Sequence, residues 1–500
     1  MTALRRSVFA AVILGLGGFL LTAVRWSNKD VLAEEKAAFP EMSRREVDPR
    51  FSSFDQLDLR QMPTGDVLAR HDIKAIPWQS VEGPKVKKTW SNEKKVVIRD
   101  LAFKVDWPDS TNKYSGTLFY LHDCEEVVIE NVSVVHMNAD YRGQHTFLLE
   151  GCGKVTLRNV YSAGAVERNH IRLEGCREYE IERVEVSGWD YGKDGVRCGA
   201  GILVNNGMTK EDGQVALAAA HPKELEWGVI RDSWFHDYLT QDGTWRNHDG
   251  ILFHAPSNGI VFNCVFDRWK AGDGAIDDSH RRNDARYRNK VHRIERCVFR
   301  DNQLVKTNGA TGSPDCVIVW ANNVYINSWM GDYHKGWTNW HLHETYFFEE
   351  KAPTLVKNVG MASGLTVIAN SLLYSPKGAG VVYWQSGNAA KDGYALFRAD
   401  HVLYLMPAPD FWVRGQGAEI RDRKAWLAEG LERNCVVSNR APGFVNPKKR
   451  DLRLKSASPA ADFGSPQFLN PPDAALRVVR DFNGVRRPAR PSVGAFEPVP

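Results

Sequence analysis

Seven segments of the chain share one arrangement of apolar and polar positions: residues 96–103, 127–134, 155–162, 179–186, 228–235, 259–266 and 292–299. In each, apolar residues alternate around a polar middle made by Asn, Asp or Arg, the period-two signature of a short strand. Successive segments end 31, 28, 24, 49, 31 and 33 residues apart. A coil of three short strands and their turns needs about this length. The interval of 49 residues fits either two coils or one coil with an insertion. A second strand precedes several of these segments: 119–124, 147–152 and 171–176 align without a gap, and 251–256 fits the same slot. The repeat predicts an all-β solenoid, a parallel β-helix, in which each coil packs only on its neighbours.

The pattern continues more weakly at 317–325, 365–374 and 397–405. Residues 205–227 and 281–290 read as insertions, and the aromatic-rich stretches 331–352 and 406–434 read as loops laid against the solenoid. The expected organisation is 1–25 targeting segment, 26–90 linker and N-terminal cap, 91–440 β-helix and 441–500 closing segment. Cys124, Cys152 and Cys176 recur at one place in the repeat, as do Cys264 and Cys297. Stacked interior thiols are the economical reading, and disulfides between adjacent coils are the alternative.

Composition is that of a folded protein, 43% hydrophobic and 25% charged. The net charge of +4 is nearly balanced, which argues against a nucleic-acid partner. Arg5 and Arg6 precede an apolar run from Val8 to Val24. This fits a signal peptide or an uncleaved inner-membrane anchor through residues 7–24, with an extracytoplasmic body.

The tail carries three further stretches: Asp451-Leu-Arg-Leu-Lys-Ser-Ala-Ser-Pro, Asp481-Phe-Asn-Gly-Val-Arg-Arg-Pro and Gly494-Ala-Phe-Glu. It resembles the C-terminal closing segment of bacterial right-handed parallel β-helix proteins of the pectate-lyase-like superfamily. With the coils, the resemblance spans residues 90–497. It implies a right-handed solenoid and a polysaccharide as partner.

Polar residues concentrate in three stretches, 246–254, 272–282 and 301–309. Asp273 follows Asp249 by nearly one coil, and Asp273 and Asp277 are four residues apart. Carboxylates gathered on one face repel unless a cation sits among them, and oxygen ligands suit Ca²⁺. The arrangement is similar to polysaccharide lyase family 9. That resemblance implies Ca²⁺ held by Asp249, Asp273 and Asp277, and Lys306 as base. Here Gly272-Asp273 stands where the family has an acidic pair. β-Elimination from a uronic acid also needs its carboxylate charge countered, by Ca²⁺ or by Arg172, Arg281 or Arg282. The expected ligand is therefore an acidic polysaccharide. Paired Asp residues at 249, 277 and 278 would instead serve glycoside hydrolysis. His248 and His254 could act in epimerisation, and a non-catalytic envelope scaffold fits as well.

Trp320, Trp337, Trp340 and Trp384 are candidate platforms for sugar rings. His341-x-His343-Glu344 could hold zinc if both His share a strand face, against a polar loop as the plainer reading. Arg168-Asn-His170 and Arg246-Asn-His248 repeat one tripeptide, either as a turn preference or as two coils of one groove.

Overall fold

In a computed structural model the chain winds into a parallel β-helix. The structure describes residues 42, 50–51, 76–82, 88–106, 117–137, 145–164, 169–189, 199–205, 226–239, 248–254, 258–269, 274–278, 290–302, 305–309, 317–334, 338–358, 365–385, 397–407, 412–414, 420–421, 423–428 and 430–499.

Each coil has three faces. Face 1 is a stack of parallel strands: Lys88–Ser91, Phe119–His122, His145–Glu150, Asn169–Glu174, Gly199–Asn205, His248–Phe253, Gly274–Asp278, Val305–Gly309, Met330–His334, Ala352–Asn358, Ala379–Gln385 and Trp412–Arg414. Faces 2 and 3 are the two halves of a second sheet that bends at a corner. In early coils the corner lies inside one long strand, as in Glu126–His136; later it separates two, as in Trp227–Arg231 and Trp234–Leu239.

The corner explains the polar residue at the middle of each repeat. Asp100, Asn131, Asn159, Arg183, Asp232, Asn263, Arg296, Asn322, His343, Asn370, His401 and Asn434 all have φ between 50° and 57°. Among residues with a side chain, Asn and Asp tolerate this left-handed conformation best. Their side chains also bond along the stack: Asn131 Nδ2 donates to Asp100 Oδ1 at 3.0 Å and Asn159 Nδ2 to Asn131 Oδ1 at 2.9 Å. Each predicted strand is thus two strands folded about a ladder of polar turns.

Tyr179 pairs directly with Gly228, so the 49-residue interval is one coil with an insertion. Most of that insertion lies outside the described residues, as does 281–289. The stretch 331–352, expected as a loop, contains strands of all three faces, Met330–His334, Thr338–Leu342 and Thr345–Phe347. Of 406–434, the described part holds the end of face 1 and a short helix, Arg423–Ala428.

The interior is apolar and regular. Phe235, Phe266, Phe299, Tyr325 and Tyr346 stack coil on coil with ring centroids 4.9, 5.0, 5.0 and 4.3 Å apart. Cys124, Cys152, Cys176, Cys264 and Cys297 are buried free thiols. Cys152 Sγ donates to Glu150 O at 3.5 Å and Cys176 Sγ to Leu149 O at 3.5 Å. The stacked-thiol reading holds for these positions.

The closing segment and the described residues Met42 and Phe51 lie along the outside of the second sheet. The closing segment packs Phe444, Leu454, Phe482 and Phe496 against Ile326, Phe347, Leu372 and Leu405. Its Phe468 and Val478 cover Val319, Trp340 and Val367. Arg487, fully buried, donates to Asn322 Oδ1 at 2.6 Å, and Asn370 Nδ2 donates to Ser465 O at 2.8 Å, so the tail grips the corner ladder itself. At the other terminus Met42 joins the Val319–Phe468 cluster, and Phe51 lies edge-on to Trp227 at 4.9 Å. The residues described from 26–90 therefore include a strap along the coils as well as first-coil strands. No helix among the described residues is long and apolar enough to cross a membrane, and residues 7–24 lie outside them.

Candidate functional site

Face 1 is the face to which neither terminal segment is seen to dock among the described residues, and it carries the polar stretches. Its strands do not alternate strictly. Ala275 and Ile276 are consecutive and both belong to the core. A Cβ on Gly250 would meet Phe266 of the interior stack at 3.1 Å, and one on Gly201 would meet Phe235 at 3.3 Å. His170 shares a 2.8 Å hydrogen bond with the interior Ser162 although it adjoins the core residue Ile171. The row His170, Gly201, Gly250 and Ala275 thus points inward together with the row Ile171, Ile202, Ile251 and Ile276. This doubled inward step resets the alternation. It places Asp249 on the outside, in register with Ala200 and Gly274, although Asp249 alternates with Ile251 along the sequence.

Three outward rows follow. One holds His145, Asn169, Ala200, Asp249 and Gly274. A second holds Tyr120, Leu148, Arg172, Leu203, Leu252 and Asp277, and the backbone register continues from it through Lys306, Gly331 and Lys357 to Trp384. The third holds His122, Glu150, Glu174 and Asn205, and His254 extends it through its N–H to Val204 O at 2.9 Å. Asp277 and Lys306 occupy adjacent rungs, a strand spacing of about 4.8 Å. Arg172 stands four rungs from Lys306, roughly 19 Å.

Other candidates are placed elsewhere. His248 precedes the outward Asp249, and its ring stacks on the core residue Tyr238 at 5.2 Å, so it lies on the inner side. Asp278 is fully buried and shares a 2.7 Å hydrogen bond with His292 Nδ1. Trp320, expected to stack on a sugar, is fully enclosed in the core against His341. Trp340 is buried beneath Phe468 of the closing segment. Neither ring offers a free face. Trp384 keeps only its place in the row. Arg281, Arg282, Asp273 and Trp337 lie outside the described residues.

The His-x-His pair does not share a strand face, because His343 is a left-handed corner residue. His341 faces the interior, where Glu344 is pushed up to about 7, chiefly by burial. The two Arg-Asn-His tripeptides are out of step: Asn169 and Asp249 both pair with Ala200, so the His residues sit two positions apart in register.

Among the described residues no group of three His, Cys, Asp or Glu side chains could hold a metal ion. Asp249 and Asp277 share the outward face but not a row, which falls short of a calcium centre without a further ligand.

Sequence reading missed Tyr120, Glu150, Glu174 and Asn205. Arg172 donates to Glu174 Oε2 from Nε at 2.9 Å and from Nη2 at 2.7 Å, and Asn205 Nδ2 reaches the same oxygen at 3.3 Å. The Tyr120 hydroxyl donates to Glu150, and burial with this carboxylate raises its pKa well above the usual phenol value. One signal was available, since Glu150-Gly-Cys and Glu174-Gly-Cys recur at the same slot.

No protein-family model matches the chain, and no curated protein matches it.

Proposed function

We propose that face 1 acts on an acidic polysaccharide by β-elimination, with Lys306 as the base. The observation that supports this reading is the backbone register that pairs Lys306 with Asp277 on adjacent strands of face 1. In the reaction the base takes the C5 proton of a uronate, the C4–O bond breaks, and a C4–C5 double bond forms. The uronate charge must be countered for this proton to leave. Arg172 is too distant to serve the sugar that reacts at Lys306, and its guanidinium is engaged by Glu174. The resemblance to polysaccharide lyase family 9 supports the same reaction and adds Ca²⁺ near Asp249 and Asp277. The counter-charge would come from that ion or from Arg281 or Arg282, and a chelator distinguishes them. The arginine flank and apolar run at the N-terminus support an extracytoplasmic site of action, with tethering through residues 7–24.

Glycoside hydrolysis is the second reading, favoured by the shared outward face of Asp249 and Asp277. The purified protein is incubated with a panel of uronate polysaccharides, with Ca²⁺ or with chelator. Rising ultraviolet absorbance from an unsaturated product, lost in Lys306→Ala and in Asp277→Asn, is the expected result. New reducing ends without absorbance mean hydrolysis. Binding with neither product means a scaffold. Absorbance that survives both substitutions overturns the site.

A further inference from the structure

Face 3 carries a titratable seam that the chemistry on face 1 does not use. His236 lies in Trp234–Leu239, the first face 3 strand after the insertion, and this strand pairs back onto Glu178–Trp189. Both ring nitrogens meet a carboxylate. Nε2 lies 2.9 Å from Glu185 Oε1 of the preceding coil, and Nδ1 lies 2.7 Å from Asp237 Oδ2. A neutral imidazole carries one N–H and would set the lone pair of its other nitrogen against an anion. Only the doubly protonated ring donates to both. The Trp234 ring lies against it at 3.7 Å with 22° between the planes, an arrangement that favours a cation over an indole face.

Ion pairs continue over the next two coils. Arg268 donates to Asp237 from Nη2 at 2.9 Å and to Asp267 from Nη1 at 2.9 Å, and Arg300 Nη2 donates to Asp267 at 2.9 Å. Asp267 is also the register neighbour of His236 on one side, with Ser187 on the other. Among the described residues of this network, the carboxylates of Glu185, Asp237 and Asp267 face the guanidiniums of Arg268 and Arg300. These charges balance only with a proton on His236. The His236 and Glu185 side chains are 10% and 7% exposed, so little water screens them. Burial alone would lower the histidine, but the hydrogen bonds to Glu185 and Asp237 outweigh it and raise its pKa. The backbone ladder is interrupted at the same place. Trp234–Leu239 keeps register with Glu178–Trp189 from Trp234 to His236 and slips before Leu239.

We propose that His236, clamped between Glu185 and Asp237, is a pH-sensitive latch that closes this seam while protonated and releases it on losing its proton. Deprotonation sets one ring nitrogen against a carboxylate and leaves the network with an excess negative charge. The folded pKa lies above the unfolded one. The stabilisation is therefore complete below about pH 6.5, the ordinary histidine value, and is lost as pH rises through the folded value. The same coil runs on into His248–Phe253, the face 1 strand of Asp249. The latch does not depend on the chemistry assigned to Lys306.

The test is nitrogen NMR of the histidine rings of the full protein, with the His236 signal assigned by its loss in His236→Gln. His236 is expected to keep protons on both ring nitrogens where an ordinary histidine has lost one, and to titrate above about 6.5. Glu185→Gln removes one of the two carboxylate charges and brings that titration down. In urea the parent's midpoint is expected to fall between about pH 6 and pH 9, and that of His236→Gln to fall less. Glu185→Gln, which keeps the side-chain size, repeats the flattened profile and shifts the assigned signal if His236→Gln fails to fold. A His236 ring that titrates at or below about 6.5, or a parent midpoint whose pH profile matches those of the variants, overturns the proposal.

Discussion

At the scale of single residues, the interior histidines define a pH response. His136 and His170 are buried and pushed down to about 3, in both cases chiefly by loss of water. The His170 hydrogen bond to Ser162 and that of His136 to Thr146 at 2.9 Å link them as neutral rings. Between about pH 6.5 and 3 the unfolded chain binds protons at these positions that the folded chain does not, so stability falls as pH falls through that window. Glu344, raised to about 7, contributes with the opposite sign between its ordinary value and 7. Comparison with a His136→Gln, His170→Gln double variant isolates the histidines. Its urea midpoint is expected to drop less than the parent's between about pH 7 and pH 4. An equal drop in both proteins removes this account. The sequence disclosed His170 only as part of a repeated tripeptide and gave no sign of His136. The burial of His170 follows from the doubled inward step of face 1, which no strict period of two can reveal, whereas His136 ends the second-sheet strand Glu126–His136.

At the scale of the element, the coils were legible where inward positions are apolar and obscure where they are polar. The segment 127–134 alternates cleanly and lies within the strand Glu126–His136. The coil at Thr338–Leu342 and Thr345–Phe347 turns Asn339, His341 and Glu344 to the interior, so its alternation reads as that of a loop. The outward position of Asp277 agrees with its place beside the inward Ile276, whereas that of Asp249 depends on the doubled inward step. The burial of Trp320 and Trp340 did not follow from spacing, because a tryptophan fits a core and a platform equally well. The aromatic stack gives this scale its prediction. Phe266 touches Phe235 on one side and Phe299 on the other. Phe266→Ala is expected to destabilise the fold by about 3–5 kcal/mol, measured by equilibrium denaturation, as for other large-to-small core changes. A loss below about 1 kcal/mol would show that neighbouring coils close over the gap.

For the whole molecule, the closing segment is a structural brace over two faces. It covers Val319, Ile326, Leu372 and Leu405, and its fully buried Arg487 is paired with Glu497. A chain ending at residue 440 uncovers these side chains and is expected to self-associate, visible in light scattering. In the full chain, Arg487→Ala leaves the Glu497 carboxylate buried without its cation and is expected to lower stability by about 3–5 kcal/mol in denaturant titration. A monomeric, fully stable truncated chain would show that the brace is dispensable. The closing tail was recognisable from its motifs, but its route over the corner ladder depends on side-chain pairs such as Arg487 with Asn322, far apart in sequence.

The seat of Met42 has a consequence in time. The cluster it packs against includes Val317, Val319 and Trp340, some 275 residues or more further along the chain. During synthesis at about 5–20 residues per second, the start of the strap waits roughly 15 to 55 s before the surface it docks on exists. The early coils must therefore hold their shape by stacking alone, and Met42, made early, is among the last residues to settle.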